Sequence, residues 1–322
     1  MISFLTGSYT KRGSNGINRV EFDPATLGFT TTQIADVSNP TYLTHSKDMI
    51  FTVGQVLDQA GVILLKDGVV KDMLLLEQKV PCHISYNEHH HHIYTANYHE
   101  GHIMIIELKD EQLHHIQTIS FPQGSKAHYV SYDEALDCII MCDLGLDCVR
   151  AFRWNNEQYE LLWEEYFPKG SGPRHCVKHP TLSILYVLCE LSGEIYTCDI
   201  SRYRLSIILK ALVYPPTFKP RWAAAIRITK DGRNLYTSNR GHDSITLFIV
   251  DQHGHLHFES RVSTRGKQPR DFNLLGNDQY LCVLNHDDDK CVIFKRDDHG
   301  SLTYLAQHQI LEGVCVEELT VR

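Results

Sequence analysis

The sequence predicts an all-β fold, a seven-bladed β-propeller occupying residues 1–322 as one domain. The prediction rests on a sevenfold repeat, on hairpin signals inside each repeat, and on chain ends that complement each other. A short apolar run of about four residues ends in a small or polar anchor at Gly7, Gly54, Asn97, Asp143, Cys189, Asn239 and Asn285. The runs read FLTG, FTVG, YTAN, IMCD, YVLC, YTSN and CVLN. Successive anchors lie 47, 43, 46, 46, 50 and 46 residues apart, a period that suits a unit of several short strands. Length alone would suggest two domains, but seven units account for the whole chain.

Each unit opens with a strand after a proline or polar turn: PTYLTHS, PCHISYN, AHYVSYD, PRHCVKH, AAAIRIT and PRDFNLL. A tight turn follows, such as Asp231-Gly232 or Gly276-Asn277-Asp278, and then the anchor strand. Turn formers between apolar runs make the pair a hairpin. Third strands are GHIMIIEL, DCVRAFRW, GEIYTCDI, DSITLFIV and DKCVIFKR, and fourth strands include HLHFESRV and YLAQHQI. The amino terminus begins directly on an anchor strand, SFLTG, while GVCVEELT at 313–320 resembles an opening strand with nothing after it. Joined, they make one blade of three strands from the start and one from the end, which leaves no open sheet edge in the ring.

Composition narrows the function. Lys+Arg 31 against Asp+Glu 39 gives a net charge of −8, which argues against a nucleic-acid-binding surface. No apolar run approaches the ~20 residues that span a bilayer, so no membrane partner is expected. The start, MISFLTGSYTKRG, lacks the basic stretch and apolar core of a signal peptide. None of the ten cysteines forms a CxxC pair, and Cys138, Cys142 and Cys148 read as buried small apolar residues. A cytoplasmic protein with free thiols is expected. His89 to His92 looks like a metal tract but falls in a hairpin turn, and His114-His115 falls in a similar exposed connection. Without HExxH, paired CxxC or a Ca²⁺-loop spacing, no metal and no cofactor are expected. A Gly-rich phosphate loop and a GxSxG elbow are also missing, which argues against a nucleotide enzyme and a serine hydrolase.

The repeat also says which residues meet. In a propeller the first strand lines the central tunnel and the second returns antiparallel, so the start of one and the end of the other share a face. Counting back 16 residues from five anchors gives Pro81, Ala127, Pro173, Ala223 and Pro269, each followed by Cys82, His128, Arg174, Ala224 or Arg270. The residues after those anchors are Tyr98, Leu144, Glu190, Arg240 and His286. The two series form neighbouring rings at one tunnel mouth. Arg174, Arg240 and Arg270 converge there with His128, Glu190 and His286, and forked guanidinium donors suit a carboxylate or phosphate. An Arg or Glu at a rim also serves as a solvated charge or structural ion pair, but the whole set on one mouth favours a site for a small anion.

With those residues laid out, the chain resembles the lactonase family of seven-bladed propellers, which includes bacterial propeller-type 6-phosphogluconolactonases and fungal carboxy-muconate lactonizing enzymes. The resemblance runs through TGSYT at 6–10, NPTYL at 39–43, YTANYHEGHI at 94–103, GPRHCVKHP at 172–180, CELSGEI at 189–195, DGRNLYTSNRGHDSI at 231–245 and QPRDF at 268–272. It implies catalytic roles for His128, Arg174, Glu190 and Arg240, with Arg270 as a further anion contact; His286 and Tyr98 complete the expected substrate contacts. Lys126 and Ala225 depart from the family, which often has His and Asp there.

The expected activity is hydrolysis of a sugar-derived lactone, foremost 6-phosphoglucono-δ-lactone, with the arginines holding the phosphate and the developing oxyanion. Either Glu190 or His128 takes the proton from water; Glu190 is favoured because an adjacent arginine favours the carboxylate form. The alternatives are a cycloisomerase acting on a carboxylated muconate and a non-catalytic interaction propeller. Against the last, the blades lack a GH…WD pattern. The sequence carries no sign of oligomeric state.

Overall fold

The computed structural model describes residues 1–201 and 204–319, and among them there is no α-helix. Twenty-eight strands form seven four-stranded antiparallel sheets. Blade 1 has the order β28-β1-β2-β3, with β1 Ile2–Ser8, β2 Ile17–Asp23, β3 Gly28–Ala35 and β28 Gly313–Leu319. Blades 2 to 7 then follow in chain order, β4–β7, β8–β11, β12–β15, β16–β19, β20–β23 and β24–β27. Their inner strands are β4 Leu43–Ser46, β8 His83–Asn87, β12 Ala127–Asp133, β16 Pro173–Lys178, β20 Trp222–Ile228 and β24 Pro269–Leu275. Each inner strand touches the next, from β4 round to β28 and back to β4, which makes a closed ring.

The closure expected from the chain ends is present: Phe4 pairs with Glu318 and Gly7 with Cys315. Position 320 of the proposed strand lies outside the described residues, as do 202–203 and 321–322. The opening strand of blade 2 is shorter than PTYLTHS, since its ladder begins only at Leu43.

Seven hydrophobic clusters hold the ring, each filling the space between two adjacent blades. Phe4, Phe22, Leu275 and Leu284 join blades 1 and 7, and Leu5, Val37, Leu43 and Leu65 join blades 1 and 2. The closing blade is therefore packed on both faces like the others. A register shift between third and fourth strands recurs in all seven sheets. Such bulges increase local twist.

The anchors differ in residue type for local reasons. At Asp143, Oδ1 accepts the amides of Lys126, Gly145 and Leu146, while Oδ2 takes the Ser125 hydroxyl and the Arg150 guanidinium. Asn97 likewise accepts the amides of His99 and Glu100 and donates to Glu77. At Gly7, by contrast, a Cβ would lie 2.2 Å from the Pro40 carbonyl oxygen, so no side chain fits.

Candidate active site

Bulges at the start of the inner strands decide where the site side chains go. In blade 4, Ala127 pairs with Asp143 and Tyr129 with Cys142, so His128 is the unpaired extra residue. Blade 5 repeats this around Arg174, between the pairs Pro173–Cys189 and His175–Leu188. Blade 7 repeats it around Arg270, between Pro269–Asn285 and Asp271–Leu284. A bulged residue leaves the ladder and its side chain is re-aimed. All three then line one cavity of about 370 Å³ together with Glu190, Arg240 and Tyr98, a volume suited to a small molecule.

At its centre, Glu190 Oε2 lies 2.9 Å from Arg174 Nε and 2.8 Å from Arg240 Nη2. The Arg174 contact is an ion pair whose N–H is not aligned for a hydrogen bond. Arg174 donates from Nη1 to the Ala224 carbonyl, and Arg240 donates from Nε to Trp222 O at 3.1 Å. Blades 5 and 6 thus hold the three groups jointly. The side chains are 3% (Arg174), 17% (Glu190) and 14% (Arg240) exposed, so Arg174 is nearly dry while Glu190 and Arg240 keep similar access to the cavity. Burial pulls the Arg174 guanidinium down to about 10, with Arg240 and Arg270 adding to the effect and Glu190 opposing it. It still carries its proton at neutral pH.

His128 is buried, with Nδ1 lacking a hydrogen-bond partner. Burial first, then the charges of Arg174 and Arg270, hold it well below the ordinary imidazole range, so it is neutral. Its ring meets Tyr98 edge-on at 5.9 Å and His175 at 5.3 Å. Below lies a plug of rings: Tyr42 and His83 at 4.3 Å, His83 and Tyr129 at 4.5 Å, Tyr129 and His175 at 5.5 Å.

The cavity is lined by five cationic side chains, Lys11, Lys79, Arg174, Arg240 and Arg270, against the carboxylates of Glu190 and Asp271. Asp271 is already paired with Arg227 at 3.1 Å. An excess of cations over carboxylates favours an anionic ligand.

His286 is not among the lining residues. Its ring packs edge-on against Tyr9 at 5.4 Å, with Nδ1 2.8 Å from Asp287 Oδ1, and Tyr9 lines the cavity in its place. Sequence reasoning did not single out Tyr9, Lys11, Asn39, Gln55 or Lys79. Gln55 follows the anchor Gly54, so extending the same count to blade 2 reaches it; the others sit in connections that carry no period.

The His tract also differs from expectation. His92 is the first residue of β9 (His92–Asn97) and is buried, with Nδ1 3.2 Å from the Tyr159 hydroxyl and its ring 4.8 Å from Trp154. His114 and His115 are exposed but lie on β11 (Gln112–Ser120), not in a connection. Among the described residues no group of three His, Cys, Asp or Glu is placed to hold a metal ion. The ten cysteines are free thiols, all buried except the half-buried Cys82.

Comparison with known proteins adds to this geometry. Residues 3–318 match the family model described as lactonase, 7-bladed beta-propeller. A 6-phosphogluconolactonase of Bacillus subtilis is 30% identical over 340 aligned positions, covering 97% of each chain. Among solved structures, a protein from Lactobacillus plantarum superposes with a TM-score of 0.94 at 28% identity, over 99% of this chain and 100% of that one. The periplasmic gluconolactonase of Pseudomonas aeruginosa superposes with a TM-score of 0.89 at 25% identity, over 100% of this chain and 99% of that one.

Proposed function

The chain belongs to the lactonase family of seven-bladed β-propellers and is a lactonase, and from that premise we propose that it hydrolyses 6-phosphoglucono-δ-lactone to 6-phosphogluconate without a metal. The observation that carries the reading is the single oxygen of Glu190 held between Arg174 and Arg240 in a cationic cavity. The relative from Bacillus subtilis, named a 6-phosphogluconolactonase, supports the choice of a phosphorylated substrate.

Water adds to the lactone carbonyl carbon, and its proton passes to Glu190. Both arginine contacts fall on Oε2, so Oε1 is the oxygen suited to take that proton. As the carboxylate is neutralised, an oxyanion appears on the substrate, so the two guanidiniums exchange one negative partner for another. Charge placed in advance of this kind is typically worth about 3 kcal/mol per donor in the transition state. The tetrahedral intermediate then collapses with cleavage of the ring C–O bond, and the ring oxygen leaves as a hydroxyl by taking the proton back from Glu190, while the new carboxylic acid releases its own proton to solvent. Neutral His128, held well below its ordinary range, is a poor base for the first step; its role is hydrogen bonding to the leaving oxygen.

Hydrolysis of freshly prepared 6-phosphoglucono-δ-lactone, corrected for the spontaneous rate, tests the reading. Turnover by the purified protein supports it. Hydrolysis of other lactones but not this one moves the substrate elsewhere while keeping the enzyme class.

A further inference from the structure

The reaction centre occupies blades 5 and 6. A second group of side chains lines the same cavity where the ring closes, between blades 1 and 7. Lys11 Nζ lies 5.2 Å from the centre of the Tyr9 ring, and Arg270 Cζ lies 5.7 Å from the same ring. All three residues line the cavity. Among the described residues, neither cation is paired with a carboxylate. Arg174 and Arg240, by contrast, already share Glu190.

The segment that carries Tyr9 and Lys11 is fixed from the far end of the chain. The buried carboxylate of Glu312 accepts the amides of Lys11 at 3.0 Å, Arg12 at 2.6 Å and Ser14 at 3.3 Å. The Tyr9 amide donates to the Glu312 carbonyl at 3.1 Å. Glu312 is itself held by Asp289, which accepts its amide at 2.8 Å and takes the Arg12 guanidinium at 3.0 Å. His286 braces the other edge of Tyr9. A solvent-facing connection is thus secured at four backbone amides, and what it presents to the cavity is one aromatic face and one ammonium.

We propose that Tyr9, Lys11 and Arg270 form a second anion subsite, which takes the phosphate monoester of the substrate while Arg174 and Arg240 serve the lactone carbonyl. The assignment of the ligand rests on the lactonase reading above. A phosphate monoester carries nearly two negative charges at neutral pH and three acceptor oxygens. A guanidinium and an ammonium with no carboxylate paired to them among the described residues match that charge, whereas a single carboxylate would leave one cation unneutralised. Arg270 contributes the forked donors and Lys11 a compact charge on a flexible stem. Tyr9 keeps both heads over one ring instead of letting them extend into solvent. Selectivity for a phosphorylated lactone is thereby separated from the chemistry, on different blades of the same mouth.

The test compares wild type with Lys11→Ala and Arg270→Ala in two assays. In the first, kcat/KM is measured for 6-phosphoglucono-δ-lactone and for unphosphorylated glucono-δ-lactone. The selectivity ratio falls about tenfold in each variant, the loss expected for a charge-assisted contact, and the change appears mainly in KM. In the second, calorimetry measures binding of 6-phosphogluconate and of gluconate, which requires no turnover. The preference for the phosphorylated acid shrinks by a similar factor in both variants. An unchanged preference in the binding assay overturns the subsite, whatever the activity. Absence of any lactone hydrolysis in wild type would count against the proposed reaction, while the binding assay would still decide the subsite.

Discussion

Arg174 and Glu190 come from the two strands of one hairpin, β16 and the residue after β17 (Ile184–Cys189), and their side chains meet at 2.9 Å over the tunnel mouth. The pairing of Pro173 with Cys189 sets this meeting, because each is the residue just before one member of the pair. Arg240 reaches the same carboxylate oxygen from blade 6. The reaction centre is therefore a property of the cleft between two blades, and its parts respond differently to substitution.

Glu190→Gln removes the proposed base while keeping a similar shape. It lowers kcat by about 10²- to 10⁴-fold, the usual worth of a positioned general base, with a smaller change in KM. Steady-state kinetics beside a circular-dichroism melt check this; a variant with wild-type kcat would transfer the base to another residue.

The closing strand depends on Asp271, which pairs with Arg227 at 3.1 Å and accepts the Val316 amide at 3.0 Å. Asp271→Ala leaves the Val316 amide without its acceptor and a largely enclosed guanidinium without its counter-charge, with only the Ile226 carbonyl still accepting from it. The cost in urea unfolding is about 3 kcal/mol, at the low end for a broken buried pair because Arg227 retains some solvent contact. Asp271→Asn keeps an acceptor for Val316 and loses less. Equal stability of both variants and wild type would mean that the seam is held by its apolar clusters alone.

Acid stability follows from the ring plug. Burial, followed by the charges of Arg227 and Arg174, pulls His83 down from 6.5 to about 3. An unfolded chain binds this proton more readily than the folded one below pH 6.5, so stability is complete above that pH and is lost as pH falls toward about 3. Melting temperature recorded from neutral to acid pH falls less steeply in His83→Phe, which keeps an aromatic ring and removes the titration. Parallel curves would assign the acid sensitivity elsewhere.

Turnover after dialysis against a chelator remains at its starting value, since guanidiniums supply the positive charge at the carbonyl in this account. Loss of activity that returns with a divalent cation would contradict it.

The sequence made the blades and most of the mouth legible for one physical reason. The residue 16 positions before the anchor pairs directly with it in blades 4 to 7, as Ala127 with Asp143 and Ala223 with Asn239, so a fixed count of residues tracks a fixed position in space. His128, Arg174 and Arg270 all fall on the bulge that follows. Where the count misled, local packing intervened: His286 occupies the right register but turns to Asp287 and Tyr9. The polar tract places His92 in a turn, whereas β9 begins one residue earlier than that and buries it against Trp154. Tyr9 and Lys11 were illegible because contacts to Glu312, some 300 residues away, fix their loop.

The most direct measurement is hydrolysis of 6-phosphoglucono-δ-lactone by wild type and by Arg174→Ala, with the spontaneous rate subtracted and folding checked by thermal melting. Wild type is expected to turn over the lactone, and a folded variant to lose at least about 10²-fold, the scale of one lost oxyanion donor. Wild-type turnover that survives unchanged in folded Arg174→Ala would contradict a reaction centred on the Arg174–Glu190–Arg240 group.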